Sequence, residues 1–217
     1  MLRTVAAGPL PGKSLVVYEP APGLVTDVFP CEDGPAQERS LFGAVLKTVE
    51  AGDLWIEDRH FCTREFLCEI DGREAFLVAR EPKGLPFEIL SPLRAWGRPP
   101  TGEIAQQRVR VTDAKGNPHV FRRLRIKLKQ ATRDGDKRLY ILTNLPRQVS
   151  AKRVAELYRR RWTLEMGQPQ YCHLGIFCWT RAASPISSNP LNAGDRWGSA
   201  QWNRLSVKPP LTVGLSY

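Results

Sequence analysis

The rhythm of apolar and polar positions changes several times along the chain. KSLVVYEP and LVTDVFP, on either side of the Pro/Gly turn APG, predict a hairpin of two strands near 14–19 and 24–29. In PAQERSLFGAVLKTVEAG, Leu41, Val45, Leu46 and Val49 recur at helical spacing, and Gly52 marks the stop. Leu54, Trp55 and Ile56 make an unbroken apolar run, as in a short strand buried on both faces. TREFLCEIDG reads as a short helix with Thr63 as N-cap and Asp71-Gly72 as its end, and REAFLVARE as another strand.

Residues 82–103 are rich in Pro and Gly and read as a connecting excursion. IAQQRVRVTD, HVFRRLRIKLKQ and KRLYILTNLP then predict antiparallel strands, separated by turns at Gly116-Asn117 and Asp134-Gly135. Ser150 is placed to cap a helix running to Met166. The last 51 residues contain five charged residues and half of the six tryptophans, scattered among Pro, Ser, Asn and Gly. No period of 2 or 3.6 survives there, which predicts an irregular tail.

Two carboxylates break these patterns. On the helix AELYRRRWTLEM, Val154, Tyr158, Arg161, Trp162 and Glu165 share one face at about 100° per residue. A carboxylate on an apolar face is expensive unless paired or coordinated. Arg161 at i−4 is a structural partner for Glu165, and Tyr158 a hydrogen-bonding one. The second acid, Asp58, follows the buried strand Leu54–Ile56, where α/β sheets open onto ligand crevices. Glu57 and Asp58 alternate sides, so one should face that crevice; a solvated acidic strand end is the plain alternative. Acids brought together from two elements suit Mg²⁺ or Mn²⁺, and a pair of such ions clamps both oxygens of a phosphoryl displacement.

Charge adds weight to a polyanionic partner. Lys and Arg exceed Asp and Glu by 32 to 22 in 217 residues, a net charge of +10. On the strand FRRLRIKLK, alternation places Arg123, Arg125, Lys127 and Lys129 on one face, either a phosphate-tracking surface or a solvated sheet face. No run reaches the roughly 18 apolar residues of a membrane span. The five cysteines form no Cys-x-x-Cys pair, so zinc or a disulfide framework has little support, Cys172-His173 included. A reduced cytosolic compartment fits.

DLWIEDRHFCT and LYRRRWTLE resemble the signature segments of bacterial insertion-sequence transposases of the D-D-E class, the type named after insertion sequence four. That signature runs Tyr, two residues, Arg, three residues, Glu, six residues, Lys; Tyr158, Arg161 and Glu165 match in register, and Asp58 corresponds to the second Asp. The likeness covers roughly residues 8 to 166. It implies an α/β fold with a ribonuclease H-like mixed sheet and a β-rich insertion between the second Asp and the Glu. The division is then 1–84 for a partial catalytic core, 85–148 for the insertion, 149–166 for the helix bearing the Glu, and 167–217 for the tail. The resemblance also implies metal-dependent cleavage and transfer of DNA strands at insertion-sequence ends. Asp58 and Glu165 would then ligate Mg²⁺ or Mn²⁺, and Tyr158 and Arg161 would contact DNA. Double-stranded DNA is the expected partner, both transposon ends and target, with homodimerisation as a further expectation, in a cytoplasmic, nucleoid-associated setting.

Three features depart from the signature. The first Asp belongs on an opening strand upstream of the hairpin, so the first core strand is expected to be missing and the sheet incomplete. Cys172 stands where the signature has Lys, and the helical pattern dissolves after Met166. A start inside the gene and a frame change near residue 166 account for all three, and such a chain is expected to be inactive. Two other readings remain open on the same residues: a non-catalytic DNA-binding or regulatory protein, and a nuclease on a ribonuclease H-like core.

Overall fold

The computed structural model describes residues 13–19, 24–31, 38–59, 62–97, 102–132, 135–167 and 176–182, with the backbone alone described for 160–167 and 176–182. The hairpin forms as expected: β1 (Lys13–Glu19) pairs antiparallel with β2 (Leu24–Cys31). Next come a 3-10 turn (Glu38–Leu41) and α1 (Phe42–Leu46), shorter than the apolar spacing predicted. Val45 and Val49 are buried, and Gly52 adopts the positive φ of 86° that favours glycine.

The run Leu54–Glu57 is β3, buried at all four positions. Thr63 caps α2 (Arg64–Gly72), its Oγ accepting from the Phe66 amide at 3.2 Å. The helix runs through Gly72, and the left-handed residue that turns the chain is Glu74, φ 57°. β4 (Phe76–Arg80) then lies parallel to β3, with Glu57 opposite Ala79. The excursion after it carries two short strands, β5 (Glu88–Ile89) and β6 (Arg94–Gly97), both antiparallel to β7.

Three strands then form an antiparallel meander: β7 (Gly102–Thr112), β8 (Pro118–Leu128) and β9 (Arg138–Thr143). Gly116 and Gly135, at φ 89° and 81°, make its turns. β9 pairs antiparallel with β4, so the strands of 85–148 continue the sheet that holds β3. Ser150 caps α3 (Ala151–Gly167) through the Arg153 amide at 3.2 Å.

One element was not predicted. Residues Ile176–Ala182 of the tail form β10, parallel to β1 and antiparallel to β3, giving the order β2-β1-β10-β3-β4-β9-β8-β7-β5 with β6 beside β7. The expectation of an irregular tail is corrected here. IFCWT is a short apolar run without alternation, as a strand flanked on both sides should be, but its loop-like neighbours mask the signal. The position between the hairpin and β3, where a core strand was expected to be missing, is taken by β10.

Alternation distributes the core to both faces of the sheet. Leu15, Val17, Trp55, Leu77, Phe121 and Leu142 pack with Phe66, Leu67 and Ile70 of α2. Leu54, Ile56, Val78, Leu124 and Ile141 pack on the other face with Val154, Leu157 and Tyr158 of α3. Among the described residues no helix is long and apolar enough to cross a membrane.

A buried cation fixes the approach to α3. The Arg122 guanidinium, 8 % exposed, donates from Nη1 to the carbonyls of Leu145, Pro146 and Val149 at 3.3, 2.9 and 2.8 Å, and from Nη2 to Gln106 Oε1 at 3.0 Å. Burial, with the charge of Arg147 adding, draws its pKa below the usual guanidinium value. Replacing it strands three carbonyls away from water. Arg122→Leu should therefore lose about 2–3 kcal/mol of stability in urea unfolding. A loss within the error of the extrapolation would mean that the loop before α3 does not depend on this cation.

Candidate functional site

β3 and β4 run parallel side by side, and their carboxyl ends carry the charged groups. Strand alternation divides them between faces. Asp58 follows Leu54 and Ile56 towards α3, whereas Glu57 follows Trp55 towards α2. Asp58 is the acid that meets the helix: the Tyr158 hydroxyl donates to Asp58 Oδ1 at 3.2 Å, linking residues 100 positions apart. Tyr158 is itself buried, 3 % exposed.

This contact sets the rotation of α3. Arg161 and Glu165 stand three and seven residues beyond Tyr158, one and two helical turns on, so their backbone positions share its face. The side chains of Arg161, Trp162 and Glu165 lie outside the described residues, as do His60, Cys172 and His173.

Two residues that the sequence did not single out complete the strand-end cluster. Arg80, the last residue of β4, places Nη1 4.0 Å from Asp58 Oδ1 and Nη2 2.5 Å from Asp136 Oδ2. Arg59 Nη1 approaches the same Asp136 oxygen at 3.8 Å. Asp136 lies in the turn between β8 and β9; because β9 runs antiparallel to β4, that turn overhangs the carboxyl end of β4. A cation closing an apolar strand was a weak hint of Arg80. Asp136 was hidden inside RDGD, a sequence that turn chemistry explains by itself.

The basic row on β8 is partly occupied by the protein's own contacts. Arg123 donates from Nε and Nη2 to Glu81 at 2.5 and 2.9 Å, and its guanidinium lies 4.9 and 4.1 Å from the ring centroids of Phe87 and Tyr140. The free phosphate-tracking row expected from Arg123 to Lys129 therefore narrows to half-buried Arg125 and exposed Lys127; Lys129 lies past the end of β8.

An α/β protein with a mixed sheet, helices on both faces and an acid at the mouth of a parallel strand pair is the class these features define. A family model of the transposase DDE domain matches residues 13–168, and the chain belongs to that family. Its function is accordingly of the transposase kind, on DNA. No curated protein matches the chain.

The family generally depends on a divalent metal. Among the described residues, no group of three or more His, Cys, Asp or Glu is arranged to hold an ion. What the fold does present is oxygen: the Asp58 carboxylate, and a helix face shared by Tyr158 and Glu165. Oxygen donors of this kind fit a hard divalent cation and suit soft metals poorly.

Glu57 is a separate matter. It is 2 % exposed, neither carboxyl oxygen has a hydrogen-bond partner among the described residues, and burial pushes its pKa well above the ordinary value near 4.5. Such a group binds its proton more tightly folded than unfolded. Its contribution to stability is present in acid and is lost as pH rises from about 4.5 towards the raised folded value. Urea unfolding from pH 5 to 8 should show Glu57→Gln losing less stability with rising pH than the wild type. Parallel pH profiles would mean that Glu57 titrates normally.

Proposed function

We propose that the chain carries catalytic-core elements of an insertion-sequence-four-type transposase on a ribonuclease H-like sheet. The family reaction is metal-dependent cleavage and transfer of DNA strands at insertion-sequence ends. Asp58 and Glu165 are the ligands for Mg²⁺ or Mn²⁺, which when bound activates the attacking oxygen and stabilises the departing one. Tyr158 and Arg161 contact the backbone of the transposon end, and Arg125 and Lys127 follow the phosphates of the same duplex. The observation that carries this reading is the hydrogen bond between Tyr158 and Asp58. It joins the Tyr–Arg–Glu helix to the strand-end acid, as a shared site requires.

Two acids are fewer than the three that this chemistry normally employs. β10 lies directly beside β3 and reads Ile-Phe-Cys-Trp-Thr-Arg-Ala, with no carboxylate. On this reading the 217-residue polypeptide binds double-stranded DNA and a divalent ion without completing strand transfer. The loss of a metal ligand removes orders of magnitude of rate.

Two assays with Mn²⁺ test these statements. Anisotropy with labelled duplex DNA should give binding that falls linearly with salt on a log–log plot and weakens in Arg161→Ala and Lys127→Ala. A plasmid assay should give no strand-transfer product. A transfer product that disappears in Asp58→Asn and Glu165→Gln would keep the ligand assignment and overturn the inactivity. DNA binding that is insensitive to salt and to both substitutions would remove the DNA-contact assignment.

A further inference from the structure

Arg80 has two carboxylates within reach and holds only one. Its side chain is 8 % exposed, so the guanidinium is largely stripped of water and depends on protein acceptors. It forms a hydrogen bond to Asp136 at 2.5 Å, whereas its approach to Asp58 is 4.0 Å, beyond hydrogen-bonding length. Asp136 sits outside the strand pair, on a turn whose own conformation is fixed. Thr132 N donates to the Asp136 carbonyl at 3.0 Å, Asp136 N to Thr132 Oγ at 3.1 Å, and Gly135 N to the Thr132 carbonyl at 2.9 Å.

We propose that Asp136 is a positioning residue: it anchors the Arg80 guanidinium on the β8–β9 turn and so keeps it from closing on Asp58, the carboxylate on which the cation binds. This rests on the assignment of Asp58 as a metal ligand made above. Without the anchor, Asp58 is the nearest described carboxylate to a poorly hydrated cation. A guanidinium seated on a carboxylate tends to engage both oxygens, the same lone pairs that a metal needs. The turn thus sets the vacancy of a ligand on a different strand, and the meander of β7, β8 and β9 acquires a role at the site besides its part in the sheet. Arg59, 3.8 Å from Asp136, gives the anchor a second positive neighbour.

The test is Mn²⁺ binding to the full chain, followed by loss of the free aqueous-ion resonance in electron paramagnetic resonance. Asp58→Asn should abolish the site, and Asp136→Asn should weaken it by about tenfold or more. The discriminating variant is the double mutant. In an Arg80→Gln background the Asp136→Asn change should alter affinity by less than about twofold, because no guanidinium remains to close on Asp58. Equal weakening in both backgrounds would mean that Asp136 acts only as a remote negative charge, and the proposal fails. It fails too if Asp136→Asn binds like the wild type while Asp58→Asn does not. Should Asp58→Asn itself bind like the wild type, the ligand assignment falls first and takes this inference with it. Asp136→Ser carries the same expectations if the Asn variant does not fold.

Discussion

A single hydroxyl-to-carboxylate contact holds the candidate site together. Tyr158 belongs to α3 and Asp58 to the end of β3, and the bond between them fixes both the rotation of the helix and the direction of the strand end. Everything assigned to the helix face beyond Tyr158 inherits its orientation from that bond and from Val154 and Leu157 packed on Ile56 and Val78. A rotation of α3 by one residue, about 100°, would carry the Tyr158 position off the sheet and point Glu165 elsewhere. The apolar contacts resist such a rotation, and the polar one selects the register.

The same division of labour recurs across the sheet. Apolar residues on alternate positions fill two cores, one against α2 and one against α3. Buried charges then specify how segments meet: Arg122 holds the loop leading into α3, Arg123 fastens β8 to the segment after β4 through Glu81, and Arg80 fastens the β8–β9 turn to the strand ends. Each guanidinium reaches several acceptors in fixed directions, which a lysine ammonium does not do as selectively. A chain with ten excess positive charges spends some of them on its own architecture. Net charge therefore overstates the surface available to DNA.

Local chemistry made much of this legible in the sequence. The Thr63 and Ser150 caps, the Gly116 and Gly135 turns, the buried run of β3 and the alternation that separates Glu57 from Asp58 all follow from short-range rules, and all are present. What stayed hidden was long-range. Arg80 meets Asp136 from 56 residues away, and nothing in LVARE or RDGD announces the pairing. Arg123 looked like an outward-facing cation because alternation fixes the face but not what covers it; Glu81, Phe87 and Tyr140 cover it. α1 ended early because Leu46 and Val49 satisfy helical spacing even where the chain has left the helix. β10 escaped notice because a strand flanked by two others has no alternation to display.

The location of β10 also bears on how the molecule reaches this state. Its ladder with β1 joins residues about 160 positions apart, Ser14 to Ile176, in the middle of the sheet. During synthesis the hairpin and β3 must wait, with facing edges open, until nearly the whole polypeptide has left the ribosome. Closure over such a distance is slow, and open strand edges are sites of self-association in the interim. The yield of native protein should consequently be governed by chaperone supply and chain concentration more than by the stability of the finished sheet.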